Sequence, residues 1–185
     1  MVIAHTNSLF NSASYYIEPY IIDPGDTWEA FTKAKAVLLT HAHFDHIYGL
    51  NKLLESNPDV VIYTNEYGAE MLMDSKKNMS KYHESPFVLS NNSNIELISD
   101  NQIVNIDGVD TKAIFTPGHN PSCITWLCND YLFTGDAYIP GIKTVTNLPG
   151  SDKQLAEQSI LKIKQLSKGK LILPGHSIIN DAIKH

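Results

Sequence analysis

The densest chemistry in the chain lies in one stretch: Thr40 to Leu50 reads Thr-His-Ala-His-Phe-Asp-His-Ile-Tyr-Gly-Leu. His41, His43, Asp45 and His46 put three imidazoles and a carboxylate within six residues. Crowded neutral imidazoles give up water and gain little unless a cation or hydrogen-bond partners accept their lone pairs. The pattern points to a metal site rather than to a polar turn that happens to be rich in histidine.

The surrounding residues say how such a site is held. Ala36-Val-Leu-Leu-Thr40 is a short continuous apolar run, as in a buried strand. After the histidines, Ile47, Leu50, Leu53 and Leu54 recur at helical spacing. The ligands therefore sit in a strand-to-helix turn. Strand alternation places His41 and His43 on one face, and Asp45 opens the helix, where the dipole favours a negative charge.

Three later positions repeat the design. Thr116-Pro-Gly-His119, Phe133-Thr-Gly-Asp136 and Leu173-Pro-Gly-His176 each present a ligand type at a glycine turn after an apolar strand. Strand ends on one sheet edge can converge although they are far apart in sequence. Together with His41, His43, Asp45 and His46 they make seven nitrogen and oxygen donors, too many for one tetrahedral zinc and suited to two metals. Asp23 ends another strand, Tyr20-Ile-Ile-Asp23, before Pro24-Gly25. It reads either as a turn cap or as a carboxylate behind the ligands that orients a metal-bound histidine.

The rest of the pattern alternates strands with a few helices. Strands are expected at 15–18, 20–23, 60–64, 95–98, 102–106, 111–115, 123–127, 131–134 and 170–173, with hairpin turns at Asp107-Gly108 and Asn129-Asp130. Asp26 with Glu29 and Ser151 with Gln154 resemble capping boxes that open helices to about Lys33 and Leu166, and Asn65 caps a third. Asp74 to Asn94 is a long polar excursion, where a residue such as His83 could reach a pocket.

Composition narrows the partners. The 185 residues carry a net charge of −6, and all 14 basic residues are lysine. An acidic chain without arginine is a poor match for nucleic acid or an anionic membrane. No apolar run reaches the roughly 18 residues of a membrane helix, and Met1 to Phe10 lacks the apolar core of a signal peptide. Cys123 and Cys128 sit five apart on one strand, face opposite ways, and read as reduced buried thiols. A cytoplasmic protein with a small-molecule substrate is expected, and the sequence leaves the oligomeric state open.

The set His41-x-His43-x-Asp45-His46, then His119, Asp136 and His176, resembles the metallo-β-lactamase-fold hydrolases. The phrases Ile22-Asp-Pro-Gly25, Thr116-Pro-Gly-His119, Leu132-Phe-Thr-Gly-Asp136 and Leu173-Pro-Gly-His176 are similar to its hydroxyacylglutathione hydrolase (glyoxalase II)-like branch. The resemblance implies an α/β (α+β) fold of four layers, αββα, with two mixed β-sheets between outer helices and metals at one edge. It implies that His41, His43 and His119 hold one metal, that Asp45, His46 and His176 hold another, and that Asp136 bridges them. Two divalent ions are then expected, zinc first, with iron or manganese as alternatives. The implied reaction is hydrolysis of a small thioester or ester by metal-activated water, with Asp45 also available as the catalytic base.

Departures bound what the likeness carries. Glyoxalase II enzymes have a C-terminal helical domain that helps hold glutathione, whereas nine residues follow His176 here; one domain over 1–185 is expected. Ser177 follows the last histidine, where glycine is common. Phe44, Tyr48 and Tyr138 adjoin ligands and read either as a substrate-facing wall or as core aromatics. The competing functions are a persulfide dioxygenase of the same fold with one non-haem iron, a lactonase or β-lactamase, and a metal-stabilised binding protein without catalysis.

Overall fold

The computed structural model describes residues 1–27 and 29–176, so Ser177 lies outside the described residues. Two sheets form the centre. The first contains β1 (Ile3–Thr6), β2 (Ala13–Ile17), β3 (Tyr20–Ile22), β4 (Ala36–Leu38), β5 (Val61–Thr64) and β6 (Ile95–Leu97), side by side in that order. Its first three strands pair antiparallel, and β3 through β6 run parallel. The second sheet contains β7 (Ile103–Ile106), β8 (Val109–Phe115), β9 (Ile124–Cys128), β10 (Tyr131–Gly135) and β11 (Leu171–Pro174), in the spatial order β11-β10-β9-β8-β7. Here β10 and β11 pair in parallel, and the other neighbours pair antiparallel. Both sheets are therefore mixed.

Strand periodicity explains the layering. Tyr20, Ile22, Ala36 and Leu38 point to one side of the first sheet and meet Ala113, Ile124, Trp126, Cys128 and Phe133 of the second. The alternate residues Ile21, Val37, Leu39 and Ile62 point the other way. They pack on Leu50, Leu53 and Leu54 of helix α2 (Leu50–Ser56) and on Met71 and Leu72 of α3 (Glu66–Leu72). On the far side of the second sheet, Cys123, Leu132 and Ala137 meet Ile163 of α4 (Lys153–Leu166). The result is helices, sheet, sheet, helix. Each buried Leu, Ile or Phe side chain contributes roughly 1.5–3 kcal/mol. Cys123 and Cys128 lie in clusters on opposite faces of the second sheet, and both are free thiols.

Two local expectations change, and a third holds. The segment after Asp26 forms a short 3-10 turn at Glu29–Thr32, because the Asp26 carboxylate is taken by Ser8 N–H and Oγ at 2.7 and 2.9 Å and by the Tyr48 hydroxyl. The strand expected at 95–98 forms as β6, which adds in parallel to β5, and the chain changes sheets after it. Asp152, not Ser151, caps α4, its Oδ1 accepting from Leu155 N–H at 2.9 Å. Ser151 instead donates its hydroxyl to the His119 carbonyl at 2.7 Å, which ties the helix start to a ligand turn.

The sheets are also joined at the edge that carries the ligands. Ile124 N–H donates to Thr40 O at 2.7 Å, and the Trp126 indole donates to Leu39 O at 2.8 Å. The ligand turn of one sheet is thereby fastened to β9 of the other.

Candidate metal centre

The turn after β4 starts at a buried acid. Asp23 closes β3 with φ +49, and its Oδ1 accepts from Thr40 N–H at 2.7 Å. Its Oδ2 receives the Thr40 hydroxyl and His46 Nδ1–H, the latter at 3.1 Å. One carboxylate thus holds both the start of the turn and one ring within it. The short helix α1 (Phe44–Ile47) then places Asp45 in its first turn and leaves His46 fully buried.

The later ligands arrive from the second sheet through glycine turns. Gly118 adopts φ +136, and a Cβ there would meet Ala156 N at 2.2 Å, so His119 is delivered beside the start of α4 only by glycine. A Cβ on Gly175 would lie 2.2 Å from Asp136 Oδ1, so only glycine lets β11 deliver His176 against that carboxylate.

These turns bring all seven donors together. His41, His43 and His119 form one group with ligand atoms mutually within 4.8 Å, and Asp45, His46 and His176 form another. His43 Nδ1 lies 3.1 Å from His119 Nε2. In the second group, His46 Nε2 and His176 Nε2 each lie 3.4 Å from Asp45 Oδ2. Asp136 stands between the groups: its Oδ2 is 3.6 Å from His119 Nε2 and 3.3 Å from His176 Nε2, and its Oδ1 is 3.6 Å from His46 Nε2. A further triad of Asp23, His41 and His46 is also close, but both Asp23 oxygens already accept hydrogen bonds.

Electrostatics and satisfaction both suit cations. Burial, reinforced by neighbouring imidazoles, pushes His41 well below its ordinary value and His43 down to about 3, so neither ring carries charge. Burial alone would raise Asp136, but His176, His46 and His119 hold it below the usual carboxylate range. Burial also opposes charge on His46, yet Asp45 and Asp136 outweigh it and raise that ring. His41 Nε2, His46 Nε2 and Asp136 Oδ1 are buried without a hydrogen-bond partner. Three orphaned donor atoms facing one small volume are what a cation site needs, so the residues fit divalent metals.

A family model for the metallo-beta-lactamase superfamily matches residues 8–176. The chain belongs to the metallo-β-lactamase superfamily. Among curated relatives, "Probable metallo-hydrolase YqgX" of Bacillus subtilis is 30% identical over 80% of this chain and 71% of its own length. The hydroxyacylglutathione hydrolase of Erwinia tasmaniensis is 29% identical over 84% of this chain, which spans 56% of that enzyme. Among solved structures, the BLEG-1 B3 metallo-β-lactamase matches with TM-score 0.84 and 25% identity, over 96% of this chain and 92% of that one. TTHA1623 in a di-iron-bound form has the same fold, with TM-score 0.79 and 22% identity over 95% and 92%. As a superfamily member with hydrolase relatives, the chain is a metallo-hydrolase whose His/Asp groups are suited to divalent metal.

The aromatic candidates of this superfamily member fall in different places. Phe44 is half-buried, its ring 4.7 Å from His83, 5.7 Å from Tyr48 and 6.5 Å from Phe87. Tyr48 gives its hydroxyl to Asp26 and accepts from Leu9 N–H at 3.5 Å. The Tyr138 ring packs with Cys123, Leu132, Ala137 and Ile163 under α4, with Lys164 Nζ 5.6 Å above it.

Sequence reasoning missed three supports of the ligands. The Phe10 carbonyl accepts from His176 Nδ1–H at 3.0 Å, and Ser12 Oγ donates to Asp45 O at 2.6 Å. Asn120 lies 2.9 Å from His43 Nε2. A carbonyl acceptor has no residue type to read, but Asn120, directly after His119, was open to suspicion.

Proposed function

We propose that the chain hydrolyses small thioesters or esters with two divalent cations, zinc first and iron or manganese as alternatives. The carrying observation is Asp136 between two three-residue groups, with His41 Nε2, His46 Nε2 and Asp136 Oδ1 buried and without a hydrogen-bond partner. His41, His43 and His119 would hold one cation, and Asp45, His46 and His176 the other, with Asp136 shared. Bound there, such cations bring the pKa of a water near 7 and polarise a carbonyl oxygen.

The chain's own residues supply the rest. Asp23 fixes the His46 ring through Nδ1, and the Phe10 carbonyl fixes His176 in the same way. Burial would raise the Asp45 carboxyl, but His46 outweighs it and keeps the group ionised, able to accept a proton as general base. A thiolate leaves without needing a proton, since free thiols have pKa values of about 8.5, whereas an amine needs one. This favours thioesters over β-lactams. Phe44 and Tyr48 remain the proposed substrate wall, the Phe44 ring tilted at 52° to that of His83 with centroids 4.7 Å apart, whereas the Tyr138 ring packs under α4. The names of the hydroxyacylglutathione hydrolases support a thioester of this kind, although the chain spans little more than half of the Erwinia enzyme. The same reading has a cytoplasmic enzyme with a small-molecule substrate and no nucleic-acid or membrane partner, on the acidic, arginine-free composition. No helix among the described residues is long and apolar enough to cross a membrane.

The test is elemental analysis of the purified chain, followed by a panel of thioesters, esters, lactones, β-lactams and phosphodiesters. Two metals per chain and fastest turnover on thioesters or esters are expected. One iron per chain with thiol-dependent oxygen uptake would overturn this in favour of a dioxygenase, and β-lactams as best substrates would overturn the thioester assignment.

A further inference from the structure

The five clustered histidines are not held alike. In four of them the outward nitrogen is Nδ1 and its partner accepts. His119 Nδ1 faces Val145 O at 2.9 Å, His176 Nδ1 faces Phe10 O at 3.0 Å, and His46 Nδ1 faces Asp23 Oδ2 at 3.1 Å. His41 Nδ1 lies 3.2 Å from Thr40 Oγ1, which gives its own hydrogen to Asp23 and so accepts from the ring. In all four, Nδ1 carries a hydrogen outward and Nε2 is the nitrogen turned to the cluster.

His43 is turned round. Its Nε2 points out to Asn120 Nδ2 at 2.9 Å, and its Nδ1 points inward to His119. The identity of the facing amide atom is fixed on the other side of Asn120. There Oδ1 accepts from Ser122 N–H at 2.9 Å and from Ser122 Oγ at 2.6 Å, while Ser122 Oγ in turn accepts from Ala42 N–H at 3.1 Å. A backbone N–H only donates, so the atom it meets must be oxygen, and the atom left for His43 is the NH2 group. Asn120 therefore donates to His43 Nε2. The ring's hydrogen is then on Nδ1, the nitrogen that a cation in the first group needs bare. Asn120 is buried, at 2% exposure, so water does not relieve the mismatch.

We propose that Asn120 is a positioning residue that acts through His43 and weakens cation capture by the His41–His43–His119 group. Capture requires the ring hydrogen to move from Nδ1 to Nε2, with no change in ring charge. Asn120 must then offer its oxygen to Nε2–H, turning its amide over and giving up both hydrogen bonds from Ser122. This inference rests on the two-cation reading above for what the group holds, but the hydrogen positions can be read in the metal-free chain.

Two measurements test it on the full chain. Long-range proton–nitrogen correlation spectra of the metal-free protein should show His43 carrying its hydrogen on Nδ1; a hydrogen on Nε2 would overturn the proposal. Chelator competition on zinc-loaded protein should show Asn120→Asp, which keeps the Ser122 bonds and accepts from Nε2–H, holding one cation about tenfold or more tighter. The added charge could do that alone, so Ser122→Ala is the neutral control. It removes one bond that opposes the amide turn and should tighten the same cation several-fold, with the fold checked by circular dichroism. Tightening in Asn120→Asp without tightening in Ser122→Ala, or no tightening in either, would overturn the proposal. A chain that never holds two cations would sink the two-metal reading while leaving the metal-free spectrum to decide the ring.

Discussion

Asp136→Asn is the most demanding perturbation of the centre. Two dications about 3.5–4 Å apart repel by roughly 15–20 kcal/mol at an effective dielectric of about 20. A carboxylate placed between them offsets part of that repulsion, and Asp136 is so placed, 3.3–3.6 Å from His176, His119 and His46. Asparagine keeps the shape and loses the charge. If the lost offset were only a tenth of the repulsion, about 1.5–2 kcal/mol, the affinity of one site would still fall more than tenfold. Hydrolysis should fall by orders of magnitude beyond this, because in the two-metal reading both cations together would activate the water. The fold should survive, since Asp136 sits in a turn at the sheet edge outside the packed clusters. The assay is metal content by mass spectrometry beside thioester turnover, with circular dichroism as the folding control. A variant with two metals and near-normal turnover would refute the bridging role and the two-metal mechanism with it.

Other changes probe the supports. Asp23→Asn should lower metal affinity or turnover about 10–100-fold, because it alters the partner of His46 Nδ1 without touching a donor atom; an unchanged zinc dissociation constant and rate would return Asp23 to a structural role. Gly118→Ala should destabilise by about 3 kcal/mol or more in urea denaturation, since its Cβ has no room beside Ala156 at φ +136; a loss below about 1 kcal/mol would show that the turn yields. Asp152→Ala should cost about 1 kcal/mol in the same assay through the lost cap of α4, with metal content unchanged.

The seven candidate donors and the elements that carry them are legible in the sequence alone. Each ligand stands in a local signal that needs no partner to be read: an apolar strand, a glycine and then His119, Asp136 or His176, or a strand passing into a helix at His41 to His46. The layering was legible for the same reason, because alternation within β3 and β4 sends Ile21 and Val37 one way and Ile22 and Leu38 the other. What each candidate donor can do depends on contacts that only the fold brings about. The Asp26 carboxylate reads as a helix cap until Ser8 and Tyr48 are found to claim it, and Ser151 reads as one until His119 O accepts its hydroxyl. Phe10 and His176 are 166 residues apart, and Asn120 and His43 are 77 apart, yet these contacts set where each ring keeps its hydrogen. A residue's type is a local property, whereas the proton on an imidazole is set by whichever acceptor or donor the fold brings to its other nitrogen.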